Sequence, residues 1–313
     1  MILEDFIVQT KAGMFCKYGS FYLDPKEPAS IAVISHAHGD HAIPGNANVY
    51  CTTSTSLFMK LRFRKNAAQS FHIKEYGESF ELNGVIISFV PAGHILGSAM
   101  VLMTYQGTKY LYTGDFKLQR DDTCEPIEYV PADVLITETT FADPNTRHPD
   151  PVEEIRKINS TPSNIMLGAY SLGKSQRLIS LINKHCTEKR ILLHHSIVPL
   201  TRIYEEQGIT LGKYELYDRK VMKHTESNLV YLVPPITFNS YFKATNVVKI
   251  FATGWKHLQS KNQIQIYLSD HADWHDILFT IDQVGPTEIW TTHGNGLQLK
   301  SYFDKKLVVK LLN

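Results

Sequence analysis

A chain of 313 residues with 43% apolar content is long enough for one large domain or two ordinary ones, and it can fill a real core. Its 32 Lys+Arg and 31 Asp+Glu nearly cancel, and no apolar run reaches the ~20 residues of a membrane-spanning helix, which excludes a helical membrane protein. The four cysteines, Cys16, Cys51, Cys124 and Cys186, are scattered, and the acidic opening moves straight into a strand pattern; both features point to a reduced, cytoplasmic protein without a leader peptide.

Residues 5–24 alternate in strand fashion around turns at Ala12-Gly13 and Gly19. Asp24 ends the last of these runs. It is either part of an Asp-Pro turn or an acid placed to accept a proton from a nearby imidazole. Ile31-Ala-Val-Ile-Ser is a buried-strand pattern that opens into His36-Ala-His38-Gly-Asp40-His41. Side chains two apart in extended chain share a side, so His36 and His38 can reach one metal ion together. Gly39 turns the backbone and lets Asp40 and His41 face a second point. Three imidazoles and a carboxylate so close together suit zinc.

A short strand at 48–52 precedes a helix with Thr/Ser capping signals at 52–56 that runs to Lys65. Strands follow at 70–76, 79–82 and 84–90, the last two joined at Asn83-Gly84, a hairpin signal. The chain then reaches Pro91-Ala-Gly-His94-Ile-Leu-Gly97, a strand-end His flanked by glycines that allow close approach to a site. A hairpin over 99–112, turning at Gln106-Gly107, ends in Asp115, a carboxylate able to bridge two cations. Residues 133–140 form another buried strand with Glu138 near its end.

The polar, Pro-rich stretch 141–151 marks a boundary. Beyond it helices at 151–159, 174–186 and 197–207 alternate with strands at 164–169, 190–194, 229–233 and 247–251, which predicts a parallel sheet with helices on its faces. Residues 146–261 hold 17 Lys+Arg and 9 Asp+Glu, and the remainder 15 and 22. An acidic body with a basic insert suits a polyanionic ligand, although solvated surface charge reads the same way. Gly168-Ala-Tyr-Ser-Leu-Gly173-Lys174-Ser175 satisfies the P-loop pattern, which would imply an NTPase. Against that reading stand the bulky Tyr170 and Leu172 and the lack of a following strand that ends in a magnesium-holding Asp. A milder reading keeps Ser171, Lys174 and Ser175 as contacts to one substrate phosphate at a helix N-terminus, with Ser269 as a further candidate.

After a second polar stretch at 256–263, residues 263–268 read as a strand leading into Ser269-Asp-His271-Ala-Asp. A helix at 273–283, a strand from 288 ending in His293, a helix at 296–304 and a strand at 307–311 close the chain. The body is therefore split, 1–145 and 262–313, around an insert at 146–261.

The order His36-Ala-His38-Gly-Asp40-His41, His94, Asp115, His293 resembles the metallo-β-lactamase fold. The insert, preceded by Glu138 and followed by Ser269-Asp-His271-Ala-Asp, resembles the cap of the β-CASP nucleases. The resemblance covers essentially the whole chain, which is most similar to the bacterial DNA ligase-associated exonucleases. It departs from the family's usual run at Lys174, where relatives often have Arg, and at His194-His195-Ser196, where they often carry an acid. The resemblance implies an α/β protein, a four-layer αββα sandwich with an inserted α/β cap, and two metal ions, zinc or manganese, at one edge. His36, His38 and His94 would hold one ion; Asp40, His41 and His293 the other. Asp115 would bridge them, and Asp24 would be the acid behind the ligands.

The implied activity is a DNA exonuclease of DNA repair, associated in function with a DNA ligase and a helicase; the alternative is an RNA-processing ribonuclease of the same family. Two metals would activate water for in-line attack, with Asp40 serving them. His271, the strand-end His outside both ligand sets, would then be the general acid, with Glu138 as its partner. Hydrolysis of small esters on the same fold has no use for a basic insert. Seven ligands for two ions leave room for water, which argues against a purely structural metal site.

Overall fold

The computed structural model describes residues 1–224, 227–240, 247–259 and 262–312. The chain divides into two compact units, one of Met1–Arg147 with His271–Asn313 and one of His148–Asp270. The first unit begins with β1 (Ile7–Thr10), β2 (Gly13–Cys16), β3 (Phe21–Leu23), β4 (Ile31–Val33), β5 (Asn46–Cys51), α1 (Thr53–Phe63) and β6 (Ala68–Ile73). It continues with β7 (Ser79–Leu82), β8 (Val85–Pro91), β9 (Ala99–Tyr105), β10 (Thr108–Tyr112) and β11 (Val134–Thr139). The second unit holds α2 (Pro151–Arg156), β12 (Ile165–Gly168), α3 (Lys174–His185), β13 (Arg190–Leu193) and α4 (Val198–Glu206), then β14 (Glu215–Leu216), α5 (Arg219–His224), β15 (Leu229–Val233), α6 (Pro235–Ser240) and β16 (Val248–Phe251). The first unit resumes with α7 (Trp274–Val284), β17 (Glu288–Gly294), α8 (Leu297–Tyr302) and β18 (Val308–Leu311).

Two sheets make the first unit: β1 to β6 in sequence order, and β18-β17-β11-β10-β9-β8-β7. Period-two alternation assigns the faces. Tyr110, Tyr112, Val134 and Ile136 pack between the sheets with Phe6, Phe21, Val33, Ile87 and Phe89. Leu111, Leu135 and Ile289 face the other way, onto Trp274, Ile277 and Ile281 of α7 and Leu299 of α8. On the outer face of the first sheet Met59 of α1 packs on Ala32, Ile34, Val49 and Cys51. The layers are thus helix, sheet, sheet, helix. Asn83-Gly84 and Gln106-Gly107 turn their hairpins with positive φ at both residues (49° and 84°, 48° and 80°), as two-residue turns between twisted strands require.

The second unit carries a parallel sheet, β14-β13-β15-β12-β16, with its helices as crossovers. Three elements there escape the sequence reading: β14, α5 and α6, of two, six and six residues, too short to show a period. The expected strand at 263–268 does not form. Ile266 and Leu268 are buried, as the alternation requires, but no ladder forms: Gln263 N donates to Lys249 O and Ile266 O accepts from Thr253 N, each at 3.3 Å, and further main-chain bonds go to side chains. Tyr267 N donates to Glu154 (2.8 Å), Ile266 N to Gln259 (3.3 Å), and Leu268 O accepts from Lys174 (2.9 Å). For the same reason the second unit runs to Asp270, beyond the 261 expected; residues 260 and 261 of the expected polar boundary lie outside the described residues. No helix among the described residues is long and apolar enough to cross a membrane.

The His94 loop shows how the fold brings ligand candidates together. Gly97 has φ +77°, and its carbonyl accepts from Thr52 Oγ1 at 2.6 Å and Thr55 Oγ1 at 3.1 Å, which docks the loop on the start of α1. A Cβ on Gly97 would stand 2.6 Å from Ser54 Cβ and 2.9 Å from Thr52 Oγ1. Gly97→Ala should therefore cost about 1–3 kcal/mol from strained φ and the clash. A thermal melt should fall by several degrees, and a melt equal to that of the wild type would show that the loop does not depend on this close approach.

Candidate metal centre

The centre lies at strand ends of the first unit. β4 leads into His36, His38 and His41; β8 ends just before His94; β10 ends just before Asp115; Glu138 and His293 lie near the ends of β11 and β17. Because β10, β11 and β17 are parallel neighbours, residues far apart in sequence emerge at one edge. His38 Nδ1 lies 3.1 Å from His36 Nε2 and 3.0 Å from His94 Nε2. Asp115 Oδ2 lies 3.5 Å from His36 Nε2 and 3.8 Å from His94 Nε2. These four donor atoms all fall within 4.8 Å of one another. Three imidazole nitrogens and one carboxylate oxygen are a fitting donor set that could hold a divalent ion.

The other expected set is looser. His41 Nε2 is 3.4 Å from Asp115 Oδ2 and 3.8 Å from Asp40 Oδ2, and the His293 ring stacks on His41 with centroids 4.8 Å apart. Asp40 stands at the rim with its side chain 77% exposed. These residues neighbour one another without converging as tightly as the first four. His41 Nε2 is nevertheless buried with no hydrogen bond, an orphaned nitrogen that a cation would satisfy.

Asp24 is a buried acid beside two of the ligand candidates, His36 and His41, as the second of the two sequence readings expects. Its Oδ2 lies 2.8 Å from His41 Nδ1 and 2.5 Å from Ser35 Oγ, and it accepts from Tyr112 OH at 2.9 Å. A carboxylate only accepts, so His41 Nδ1 carries a proton. Ser35 Oγ gives its one proton to Asp24 and so accepts from His36 Nδ1, 3.0 Å away. Asp24 thereby fixes His41 directly and His36 through Ser35, each with Nε2 turned toward Asp115.

The charges follow from this packing. Burial, with His41 and His94 nearby, pushes the His36 imidazole well below its ordinary value, so it is neutral and ligand-ready. Burial also opposes charge on His41, but Asp115 and Asp24 overcome it and raise that imidazole well above the ordinary range, so a metal ion at Nε2 would take the place of a proton. Asp115 is likewise buried, yet His41, His271 and His36 hold it well below the usual carboxylate range. Burial and the His41 charge lower His293.

A second constellation adjoins the first. His271 Nδ1 lies 2.9 Å from Glu138 Oε2 and 3.8 Å from Asp115 Oδ2. Glu138 is fully buried and accepts from Phe116 N at 2.9 Å and Thr140 Oγ1 at 2.6 Å. His271 keeps 27% of its side chain exposed. The buried Lys117 braces this region: Nζ donates to His94 O at 3.2 Å and meets Asp121 Oδ2 at 2.6 Å. Sequence reasoning missed Ser35, Tyr112 and Lys117. The first two stand beside the ligand motifs, at the residue before His36 and three before Asp115; nothing local marks Lys117.

The second unit corrects the phosphate-contact expectation. Lys174, Ser175 and Ser269 are buried, and Ser171 is half-buried. Lys174 Nζ is engaged with Leu268 O at 2.9 Å and Asp270 Oδ2 at 3.4 Å, and Ser175 Oγ donates to Tyr170 O at 2.7 Å. With its ammonium held this way the P-loop pattern is a coincidence of letters. His194 bonds its own loop, Nδ1 to Ser196 Oγ at 2.8 Å, and its ring lies 4.0 Å from that of His195, tilted by 37°.

No family model matches the chain. Among curated proteins it is similar to a probable DNA ligase of Opitutus terrae, 30% identical over 305 residues, covering 92% of this chain and 29% of that protein. An RNase J-like protein of Methanocaldococcus jannaschii is 27% identical over 205 residues, covering 55% of this chain and 49% of that one. The DNA cross-link repair protein SNM1 of Arabidopsis thaliana is 29% identical over 157 residues, covering 45% and 32%. The chain therefore spans less than half the length of each. A crystal structure of a protein of unknown function from Enterococcus faecalis V583 superposes with TM-score 0.60 at 13% identity, covering 90% of this chain and 79% of that one, a likeness of fold. By its layered sandwich, its strand-end histidine loops and these relatives, the chain has the metallo-β-lactamase fold and is similar to the proteins of its β-CASP family.

Proposed function

We propose that the protein is a zinc-dependent nuclease that hydrolyses phosphodiester bonds in nucleic acid, a DNA exonuclease of DNA repair in the reducing cytoplasm. The observation that carries this reading is the pairing, within one edge, of a His/Asp metal cluster with a separate His271–Glu138 dyad 3.8 Å from Asp115. In this assignment His36, His38 and His94 hold one zinc ion, Asp40, His41 and His293 a second, and Asp115 serves both. Bound zinc supplies Lewis acidity toward phosphoryl oxygens and makes water a competent nucleophile at neutral pH. Glu138, buried and accepting, fixes the Nδ1 proton of His271 and leaves Nε2 to protonate the departing 3′ oxygen. The net positive charge of the insert supports a polyanionic substrate.

The similarity to a probable DNA ligase over 92% of this chain favours DNA and a ligase as a functional associate; the RNase J-like relative supports the ribonuclease alternative. Purified, metal-analysed protein on end-labelled single- and double-stranded DNA and RNA decides between them. Mononucleotide release from DNA ends is the expected result, and cleavage confined to RNA would replace this reading with the alternative.

Elemental analysis should find about two zinc ions per chain, and chelation should abolish hydrolysis until zinc or manganese is restored. Protein that neither carries nor responds to metal refutes the assignment. Asp40→Ala, at an exposed side chain, should keep the wild-type melt while losing turnover and the second ion; full turnover in that variant removes Asp40 from the site.

His271→Ala should slow hydrolysis by roughly 10²–10⁴-fold, the range for general acid catalysis, with metal content retained. A nitrophenyl phosphodiester, whose leaving group needs no proton, should recover most of the loss, and Glu138→Gln should show a smaller loss in the same direction. Because Asp115, Glu138 and His271 also form a tight donor group, loss of metal from His271→Ala would identify His271 as a ligand.

A further inference from the structure

Within the first unit, the loop that carries His94 is held by one segment, residues 117–128, which belongs to no strand or helix. Four successive carbonyls, from Pro91 at the end of β8 to His94, take donors from it. Pro91 O accepts from Glu128 N at 3.1 Å and Ala92 O from Lys117 N at 3.2 Å. Gly93 O accepts from Cys124 Sγ at 3.4 Å and His94 O from Lys117 Nζ at 3.2 Å. At the other end of the loop Gly97 N donates to Glu125 Oε2 at 3.0 Å. The approach is close: Gly93 has φ +73°, and a Cβ there would stand 2.4 Å from Lys117 O.

Lys117 brings a charge into this packing. Its side chain is 1% exposed, and that of Asp121, which its Nζ meets at 2.6 Å, is 5% exposed. Asp121 is held in turn, its Oδ1 accepting from Thr123 N at 3.0 Å and Thr123 Oγ1 at 2.7 Å. Stability is a poor reason for such a pair, because apolar side chains of similar volume commonly serve as well or better. A cation bonded to the main chain of His94 also repels an ion held by its ring. What an ammonium supplies and apolar packing lacks is direction. His94 N donates to Ser98 Oγ at 3.1 Å, so of the two peptide planes that meet at His94 Cα one is tied to Ser98 and the other to Lys117. Peptides are rigid and planar, so tying both planes fixes where the His94 Cβ points. The ring then stands with Nε2 3.0 Å from His38 Nδ1 and 3.8 Å from Asp115 Oδ2. Asp115 itself lies two residues before Lys117, so one piece of main chain sets both ligand candidates.

We infer that Lys117, held by Asp121, is a positioning residue for the metal centre: it sets the main chain from which His94 reaches the ion it shares with His36, His38 and Asp115. This rests on the reading of His94 as a metal ligand. Groups that orient a ligand from behind are worth about 10- to 100-fold in metal affinity, so the contribution of a residue that never touches the ion is measurable.

The test uses the full-length, zinc-loaded protein and the variants Lys117→Met, Asp121→Asn and His94→Ala. Ile281→Ala, in the core under α7, is the comparison that lowers the melt without touching the loop. Zinc affinity is measured by competition with a chelator well below every melt, and the cobalt-substituted proteins give the ligand-field spectrum. Lys117→Met should weaken, by about 10- to 100-fold, the ion that His94→Ala loses, and should shift the cobalt spectrum. Asp121→Asn, which keeps the size but removes the charge that holds the ammonium, should repeat the pattern in weaker form. The Lys117→Met/His94→Ala double variant should bind no more weakly than His94→Ala, since positioning has no value once the imidazole is gone. Ile281→Ala should keep the wild-type affinity and spectrum. Wild-type zinc affinity in Lys117→Met, or a loss no greater than that of Ile281→Ala, would overturn the inference. If neither Lys117→Met nor Asp121→Asn melts as a folded protein, the pair is a stability element and the inference is wrong. Failure of the underlying reading has its own mark: His94→Ala by itself then holds its zinc as the wild type does, and the positioning role falls with it.

Discussion

The first unit depends on one buried charge. Asp24, at φ 43° after β3, takes Ser35 N at 2.7 Å, Ser35 Oγ, His41 Nδ1 and Tyr112 OH. A carboxylate without hydrogen-bond partners at this depth would cost several kcal/mol. With four donors it is stable, and each donor is thereby placed. Tyr112 belongs to the second sheet while Asp24 and Ser35 flank strands of the first, so the same carboxylate ties the sheets together beneath the ligand cluster. The orientation of His36 and His41 is a consequence of how the sandwich closes.

The rest of the centre follows from strand order. Thr137, Glu138 and their neighbours on β11 pair in register with β17, so that Glu138 lies opposite Thr292 and His293 emerges beside it. Asp115 leaves β10 on the other side of β11. No local pattern can place residues 115, 138 and 293 together; the parallel pairing does, because parallel strands bring their C-terminal ends to one edge. Gly294, at φ 130° and with Thr139 O only 2.3 Å from where a Cβ would be, is what lets the His293 turn sit so close to β11.

The second unit uses its charge differently. Most of its cations among the described residues are exposed, but Lys174 and Arg177 are buried against Asp270 and the carbonyls that precede it. The helix N-terminus that the sequence offers as a phosphate cradle is occupied with holding the chain on its way back to the first unit. A motif can be matched letter by letter and still be spent on internal contacts, since the letters do not specify which way a side chain is drawn.

Local spacing by itself determined the ligand loop. His36 and His38 follow a buried strand at an interval that lets them converge, while Asp40 stays at the rim, and His94 and Asp115 stand at strand ends marked by glycines and a two-residue hairpin turn. The alternation of the insert likewise determined its parallel sheet, because crossover helices and buried strands each have their own period. Only the tertiary structure decided what depends on a distant partner. Residues 263–268 alternate like a strand, but they share only two backbone bonds with Lys249 and Thr253 among the described residues, and Glu154, Gln259 and Lys174 take other backbone groups. Ser35 and Tyr112 stand beside the ligand motifs and Lys117 carries no local mark; the roles of all three arise from what burial leaves within hydrogen-bond reach. Whether Asp24 was a turn or an acid was undecidable from its neighbours in sequence: the imidazole it orients lies 17 residues on, and the hydroxyl that completes its shell lies 88 residues on, in the other sheet.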